Sequence, residues 1–424
     1  MRARDRWLLA GLIAVAGLAG LVSYDRASRL RYDFRHFYLD AEFVWRNGGL
    51  NPLLLSPNHD AQRQLPFYLP AVSVLIAPLG ALGPAGGAAA WTAIQVGSLA
   101  ASLWVLAGWH AGAAPAAPAG AVRLGPLALA TACALPALIV AAQFNQLTLP
   151  VLALLLLALQ RLERGAPWQA GALLAAATLI KLLPAVFLPW LVLKRQWGAL
   201  AGFVVAFAGL AAIPPLAMFG PERTITYHRQ WWEHNAGGAA AQGMVDDDLD
   251  EHFTDRRNQS IATVIARLCW PEHPHATRWQ PLSLDRQTCL RLALGITAGL
   301  ALVLAWLTRV PWIDLGAERR RCEFAVYCIA MLVLSPLLRQ YYLAWVLPAL
   351  VLISTGAGCE SHRRRRGAWT GLGLWVLAMA LWAWRPARLY GAHLLILIVI
   401  AAVQFWVFSL RLPENRAARP RHLP

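Results

Sequence analysis

The chain has 424 residues, 58% of them hydrophobic and only 14% charged, with a formal net charge of +16 and a mean hydropathy of +0.47. A soluble chain carries about a quarter of its residues charged, so this composition excludes an ordinary soluble enzyme. The basic residues sit at the ends of apolar runs and not along one face, which excludes nucleic acid as the partner of the charge.

In chain order, apolar runs cover 7–22, 88–107, 147–159, 200–218, 290–307, 369–384 and 392–410. Most approach or reach the ~20 residues a helix needs to cross a hydrocarbon core. Helices satisfy their own backbone groups in lipid. The expected fold is therefore an all-α integral membrane protein, a single polytopic domain over residues 1–424 with about 12–13 transmembrane helices. The small residues at 14–20 would suit a signal-peptide cleavage site, but the run lasts a full span to Tyr24 and reads as an uncleaved first helix. A count of apolar stretches gives roughly thirteen. The stretch 68–82 holds Pro70 and Pro78, with Pro84 just behind, and reads as re-entrant or as a short external helix. Alternatively it spans, and 124–142 breaks into a hairpin at Pro136. No repeat of about 20–50 residues is visible, nor an inverted repeat of transporter type.

Arginine gathers at Arg2, Arg4 and Arg6, at 319–321, at 363–366, and in the tail at 411–421. Short connections rich in Lys and Arg stay cytoplasmic. Both termini are thus expected inside, along with Arg161, Arg164, Lys194, Arg195 and Arg309. That arrangement requires an even number of crossings and suits a bacterial cytoplasmic (inner) membrane. Two long loops fall outside: 25–67, with an amphipathic helix, and 221–289. Turns near 143–145, 181–184, 335–342 and 385–390 fall on the same outer side.

Ionisable residues in or beside spans are costly, which makes them candidates for function. Of 38 basic residues only Lys181 and Lys194 are lysine. Lys194 reads as a cytoplasmic flank. Lys181 closes an apolar run just before Leu182, Leu183 and Pro184, where its ammonium either binds a phosphate or snorkels to the interface. Gln143 and Asn145, at a span end, either hydrogen-bond a sugar or hold neighbouring backbone. Arg339, on the outer side against the positive-inside trend, is either a phosphate clamp or a loop-tip surface arginine. In the first loop Asp33, Phe37 and Asp40 share a helix face with His36 beside them. A carboxylate there is a candidate general base on an acceptor hydroxyl, or part of a solvated acidic face balancing Arg31 and Arg35.

The acidic run Asp246, Asp247, Asp248, Asp250, Glu251 and Asp255 lacks the internal glycine of a calcium loop and reads as a solvated segment. No cofactor is implied, and with no ligand spacing in view a divalent-metal requirement stays open. Asn258, Gln259 and Ser260 form a formal glycosylation sequon that reads equally as a polar anchor in the site. Trp231 and Trp232 offer faces for sugar stacking or belong to the outer aromatic belt. Cys133, Cys322, Cys328 and Cys359 read as packing residues. Cys269 and Cys289 share the second external loop, where a disulfide and a pair of free thiols are even readings.

The ordered set of motifs resembles glycosyltransferase family 87, membrane enzymes of the type C superfamily that use polyprenyl-phosphate sugars. The resemblance runs from Asp33, Phe34, Phe37 and Tyr38 through Phe67, Tyr68, Leu69, Pro70 and Ala77, Pro78, Leu79 to Gln143 and Asn145. It continues through Ala170, Gly171, Ala172, then Lys181, Leu182, Leu183, Pro184, and Lys194, Arg195, Gln196, Trp197. It ends with Asn258, Gln259, Ser260, Arg267, Ser335 and Pro336, and extends to Tyr342. The family often has Gly where this chain has Ala142, and paired histidines where it has Tyr341 and Tyr342. A histidine role there would pass to Arg339 and the tyrosine hydroxyls.

The resemblance implies transfer of a mannose- or arabinose-like sugar from a polyprenyl-phosphate donor to an external glycan or lipid acceptor. By the same resemblance Asp33 is the general base of an inverting attack, with Asp40 the second choice. Lys181 and Arg339 would bind the donor phosphate, and His36, Gln143, Asn145, Asn258, Gln259, Tyr341 and Tyr342 would contact substrate. A transporter or flippase of lipid-linked sugars, and an O-antigen ligase or polymerase, are the competing readings.

Overall fold

The computed structural model describes residues 3–50, 68–109, 124–235, 257–357 and 362–409. The acidic run at 246–255, together with Phe67, Cys359 and the arginine tail at 411–421, lies outside the described residues. The described chain is all helical, and six helices are long and apolar enough to cross a membrane: Arg4–Ser28, Gly83–Gly108, Leu124–Phe144, Trp197–Glu233, Arg286–Leu307 and Gln340–Ala357. This is a multi-pass membrane protein.

The helices are α1 (Ala3–Ser28), α2 (Tyr32–Asn47), α3 (Pro70–Ile76), α4 (Pro78–Ala81), α5 (Gly83–Gly108), α6 (Leu124–Phe144), α7 (Thr148–Glu163) and α8 (Pro167–Ile180). A 3-10 turn (Leu183–Val186) leads into α9 (Phe187–Leu193), followed by α10 (Trp197–Asn235), α11 (Ile261–Cys269) and α12 (Arg286–Leu307). Then come α13 (Ala317–Val333), a 3-10 segment (Gln340–Val346) leading into α14 (Leu347–Ala357), α15 (His362–Ala383), α16 (Arg385–Leu389) and α17 (Ala392–Ser409). Near its far end α10 is kinked at Gly220, whose φ of 77° only glycine adopts readily.

Two polar clusters define the ends of the bundle. At one end Arg321 donates to both oxygens of Glu163 and to the carbonyl of Trp109, joining the ends of α5 and α7 to the start of α13. There too Lys194 is buried against Glu323 at 2.5 Å. It also donates to the carbonyl of Val310 at 2.7 Å and to that of Thr308. Arg319 shares Glu323 at 2.8 Å. The expectation of Lys194 as an ordinary flank is corrected: its partner Glu323 lies far along the chain, where spacing could not reveal it. At the opposite end Asn145 meets Ser23, and Lys181 meets Tyr342.

Beside the six long helices run shorter apolar ones at Pro70–Ala81, Pro167–Ile180, Leu183–Leu193 and Ala392–Gln404. The pair α3–α4 begins with Tyr68 against Phe37 at 5.3 Å. It closes on α2 again at Gly80, where a Cβ would sit 2.4 Å from the Cα of Glu42. It therefore lies along α2. α6 runs unbroken through Pro136. Proline inside a transmembrane helix is tolerated where neighbours satisfy the freed groups.

Close crossings hold the frame. A Cβ on Gly171 would fall 2.0 Å from the carbonyl oxygen of Ala199, and one on Gly202 would fall 2.5 Å from that of Trp168, so α8 and α10 touch backbone to backbone. Small residues permit such approach in membranes, where apolar surface alone drives no helix association. Cys269 and Cys289, from α11 and α12, are buried free thiols close enough to influence one another.

Candidate active site

The site is built where α2, the end of α8 and the segment before α14 converge. The chain leaves α1 through Leu30 (φ 46°) and enters α2 through Tyr32 (φ 54°), both in the left-handed region. Such residues cost of order 1–3 kcal/mol each and persist where surroundings fix them. Here the Tyr32 ring packs on Phe144 at 4.8 Å, and Gln143 Nε2 donates to its hydroxyl at 3.4 Å. The reversal delivers Asp33 in the first turn of α2. Phe34, Phe37, Tyr38, Ala41 and Val44 form the buried face of that helix, with Trp91 5.0 Å from Phe37 and 5.8 Å from Phe34.

Asp33 is half-buried. Burial raises its carboxyl to about 6, while the positive charges of Lys181 and Arg339 pull it back. The two cations therefore act on this carboxylate together. Asp40, two turns on, is also raised to about 6 by burial, which a hydrogen bond with the Ser73 hydroxyl partly offsets. Asp33 is the carboxylate in the field of the cations.

Lys181 ends α8 in an extended conformation, just before the 3-10 turn Leu183–Val186. Its Nζ donates to Tyr342 Oη at 2.7 Å and to Gln146 Oε1 at 3.2 Å. Ring centroids of Tyr342, Tyr341 and Tyr68 lie 4.2, 5.7 and 6.0 Å from the same nitrogen. The lysine is caged by aromatic faces.

Arg339 is half-buried, not a loop-tip residue, because its segment is pinned. Asn258 Oδ1 accepts from the amide of Leu338 at 2.9 Å, and its Nδ2 donates to the carbonyl of Pro336 at 3.1 Å. The Gln259 amide donates to the carbonyl of Leu338 at 3.0 Å, and its Nε2 to the carbonyl of Arg388 at 2.8 Å. Both residues are fully buried. Asn258 and Gln259 thus anchor the backbone that carries Arg339. Asn145 holds neighbouring backbone in the same way. It is buried at φ 54°, accepts from the Ser23 hydroxyl at 2.5 Å and donates to the Ser23 carbonyl at 3.1 Å. Asparagine is among the few non-glycine residues that tolerate that conformation.

Of the remaining expected contacts, Tyr341 and Tyr342 stand in the cage, edge to face at 4.6 Å. Gln143 stays at its margin, and His36 lies on the exposed side of α2. Trp231 is packed in the core beneath α2, so it presents no free face for a sugar, whereas Trp232 is exposed. Gln146 and Tyr68 were not among the expected site residues. The signal for Gln146 was its place in the polar turn that holds Gln143 and Asn145. Among the described residues no group of three or more His, Cys, Asp or Glu is placed to hold a metal.

One carboxylate, two cations and three tyrosine rings at one end of a membrane bundle can accept a proton and stabilise an anion beside an apolar phase. The model of glycosyltransferase family 87 matches residues 67–338. A polyprenol-phosphate-mannose-dependent alpha-(1-2)-phosphatidylinositol mannoside mannosyltransferase of Mycolicibacterium smegmatis is 27% identical over 382 residues, covering 87% of this chain and 76% of its own length. The protein of the same description from Mycobacterium tuberculosis is 27% identical over 420 residues, covering 91% and 83%. No solved structure matches the chain.

Proposed function

This chain belongs to glycosyltransferase family 87, and on that premise we propose that it moves a mannose- or arabinose-like sugar from a polyprenyl-phosphate donor to a glycan or lipid hydroxyl, with inversion. A glycosyltransferase dependent on polyprenyl-phosphate sugar is the general activity its relatives support. The observation that carries the finer reading is the shared field of Asp33, Lys181 and Arg339.

The acceptor hydroxyl attacks the anomeric carbon and gives its proton to Asp33. The bond from that carbon to the phosphate oxygen breaks, and the leaving polyprenyl phosphate gains one negative charge. Preorganised cations stabilise charge that develops in a transition state, and that role is assigned to Lys181 and Arg339. Tyrosine rings around the ammonium exclude water and strengthen the attraction. The donor enters sideways from the outer leaflet, with both termini and the Arg321 and Lys194 clusters on the cytoplasmic side. The donor for which the two relatives are named makes polyprenyl-phosphate mannose the first to try.

The test is transfer from radiolabelled polyprenyl-phosphate mannose and arabinofuranose in membranes. Wild type is expected to transfer from one of them, and Asp33→Asn to lose about 100-fold or more, the usual weight of a general base. Full activity in Asp33→Asn rejects Asp33 as the base. Absence of transfer from either donor rejects the assigned chemistry.

A further inference from the structure

Lys181 has three ammonium protons to give. Two are committed, to Tyr342 Oη at 2.7 Å and to Gln146 Oε1 at 3.2 Å. Among the described residues the third has no protein acceptor, and Asp33 acts on the lysine only through its field. Its aim is therefore set by the two groups that take the other protons.

Gln146 is itself held on three sides. Its amide donates to the carbonyl of Ala141 at 3.3 Å, its carbonyl accepts from Gln95 Nε2 at 2.9 Å, and its side chain also bonds the Tyr341 hydroxyl. The left-handed Asn145, fastened to Ser23, turns the chain so that this side chain faces Lys181. A residue built in so firmly, buried and facing a cation, would ordinarily be a carboxylate, because buried charges are paired. Here it is a neutral amide.

We propose that Gln146 is a positioning residue that takes one Lys181 proton without adding a second negative charge beside an ammonium already in the field of Asp33, leaving its third proton for the phosphate of the lipid donor. This rests on the donor-site reading above. A carboxylate at 146 would keep the hydrogen bond and the shape but pair the charge, and the lysine would then meet an anion already satisfied. The neutral amide separates aiming from neutralisation.

The experiment measures binding of sugar-free polyprenyl phosphate, with polyprenol as the uncharged control, to full-length protein in nanodiscs. Wild type is expected to bind the phosphate form at least tenfold more tightly than polyprenol. Gln146→Glu is expected to lose most of that preference while binding polyprenol as wild type does. Gln146→Met removes the bond but adds no charge. It should keep phosphate affinity within about threefold, since the attraction acts at a distance, while its transfer rate falls at least tenfold because the ammonium is no longer aimed. A Gln146→Glu protein that keeps the wild-type preference overturns the inference while leaving the donor site standing. A Gln146→Met protein that loses phosphate binding as fully as a carboxylate would also overturns it, because structure and not charge would then be at work. A wild type that does not prefer the phosphate form overturns the donor-site reading and this inference with it.

Discussion

At the scale of single residues, burial and charge set the working range of Asp33. A carboxyl raised to about 6 accepts a proton only above that value. The predicted profile of kcat/KM falls about tenfold per unit as pH drops below 6 and is flat above, until another group titrates. A flat profile down to pH 4.5 would remove Asp33 from the base role. The ion pair of Lys194 and Glu323 makes a different prediction. Removing one partner of a buried pair costs about 3–5 kcal/mol, because the other charge stays buried and alone. Glu323→Gln should therefore lower the unfolding midpoint in detergent sharply, whereas the double change Lys194→Met with Glu323→Leu should recover part of the loss. The charged residues Asp33, Lys181 and Arg339 were legible because a charge beside an apolar run is conspicuous. The amides were not. Asn145, Asn258 and Gln259 satisfy backbone carbonyls and amides from distant segments, and no spacing in the sequence announces which carbonyl an amide will meet.

At the scale of elements, the position of Lys181 depends on how closely α8 lies on α10. Gly171 leaves no room for a Cβ, and forcing extra volume into a packed contact costs about 1–3 kcal/mol or more. Gly171→Val is predicted to separate the two helices and displace the lysine one helix length away. Its expected signature is reduced transfer together with a lowered melting point, and wild-type values for both would refute the coupling. Gly80 of α4 and Gly87 of α5 do the same for α2, bringing those helices against its Glu42 and Tyr38. The sequence showed the apolar runs and the amphipathic α2 clearly. It could not show that the proline-rich stretch of α3–α4 turns back along α2, because proline signals a break without saying which way the chain then goes.

At the scale of the whole molecule, the start of α1 and the end of α17 lie at the same end of the bundle. Arg4 lies against Gly125 at the start of α6, and Gln404 meets Cys322 beside the Lys194 cluster. Reporters fused at the two termini should therefore report the same compartment, and the cytoplasmic one by the arginine distribution. Opposite compartments would require an odd number of passes and would refute this topology. The pairing of the lysines has a further consequence for how the protein is made. Lys181 finds its hydroxyl partner 161 positions later, and Lys194 waits for Glu323 on a helix inserted several steps afterwards. During synthesis the first half of the bundle must therefore hold Lys194 without its carboxylate and Lys181 with its earlier partner Gln146 but without Tyr342. Insertion of α13 and of the Gln340–Ala357 segment is then the step that commits the nascent chain, and chains stalled before it would present Lys194 without Glu323 to the membrane's quality-control proteases.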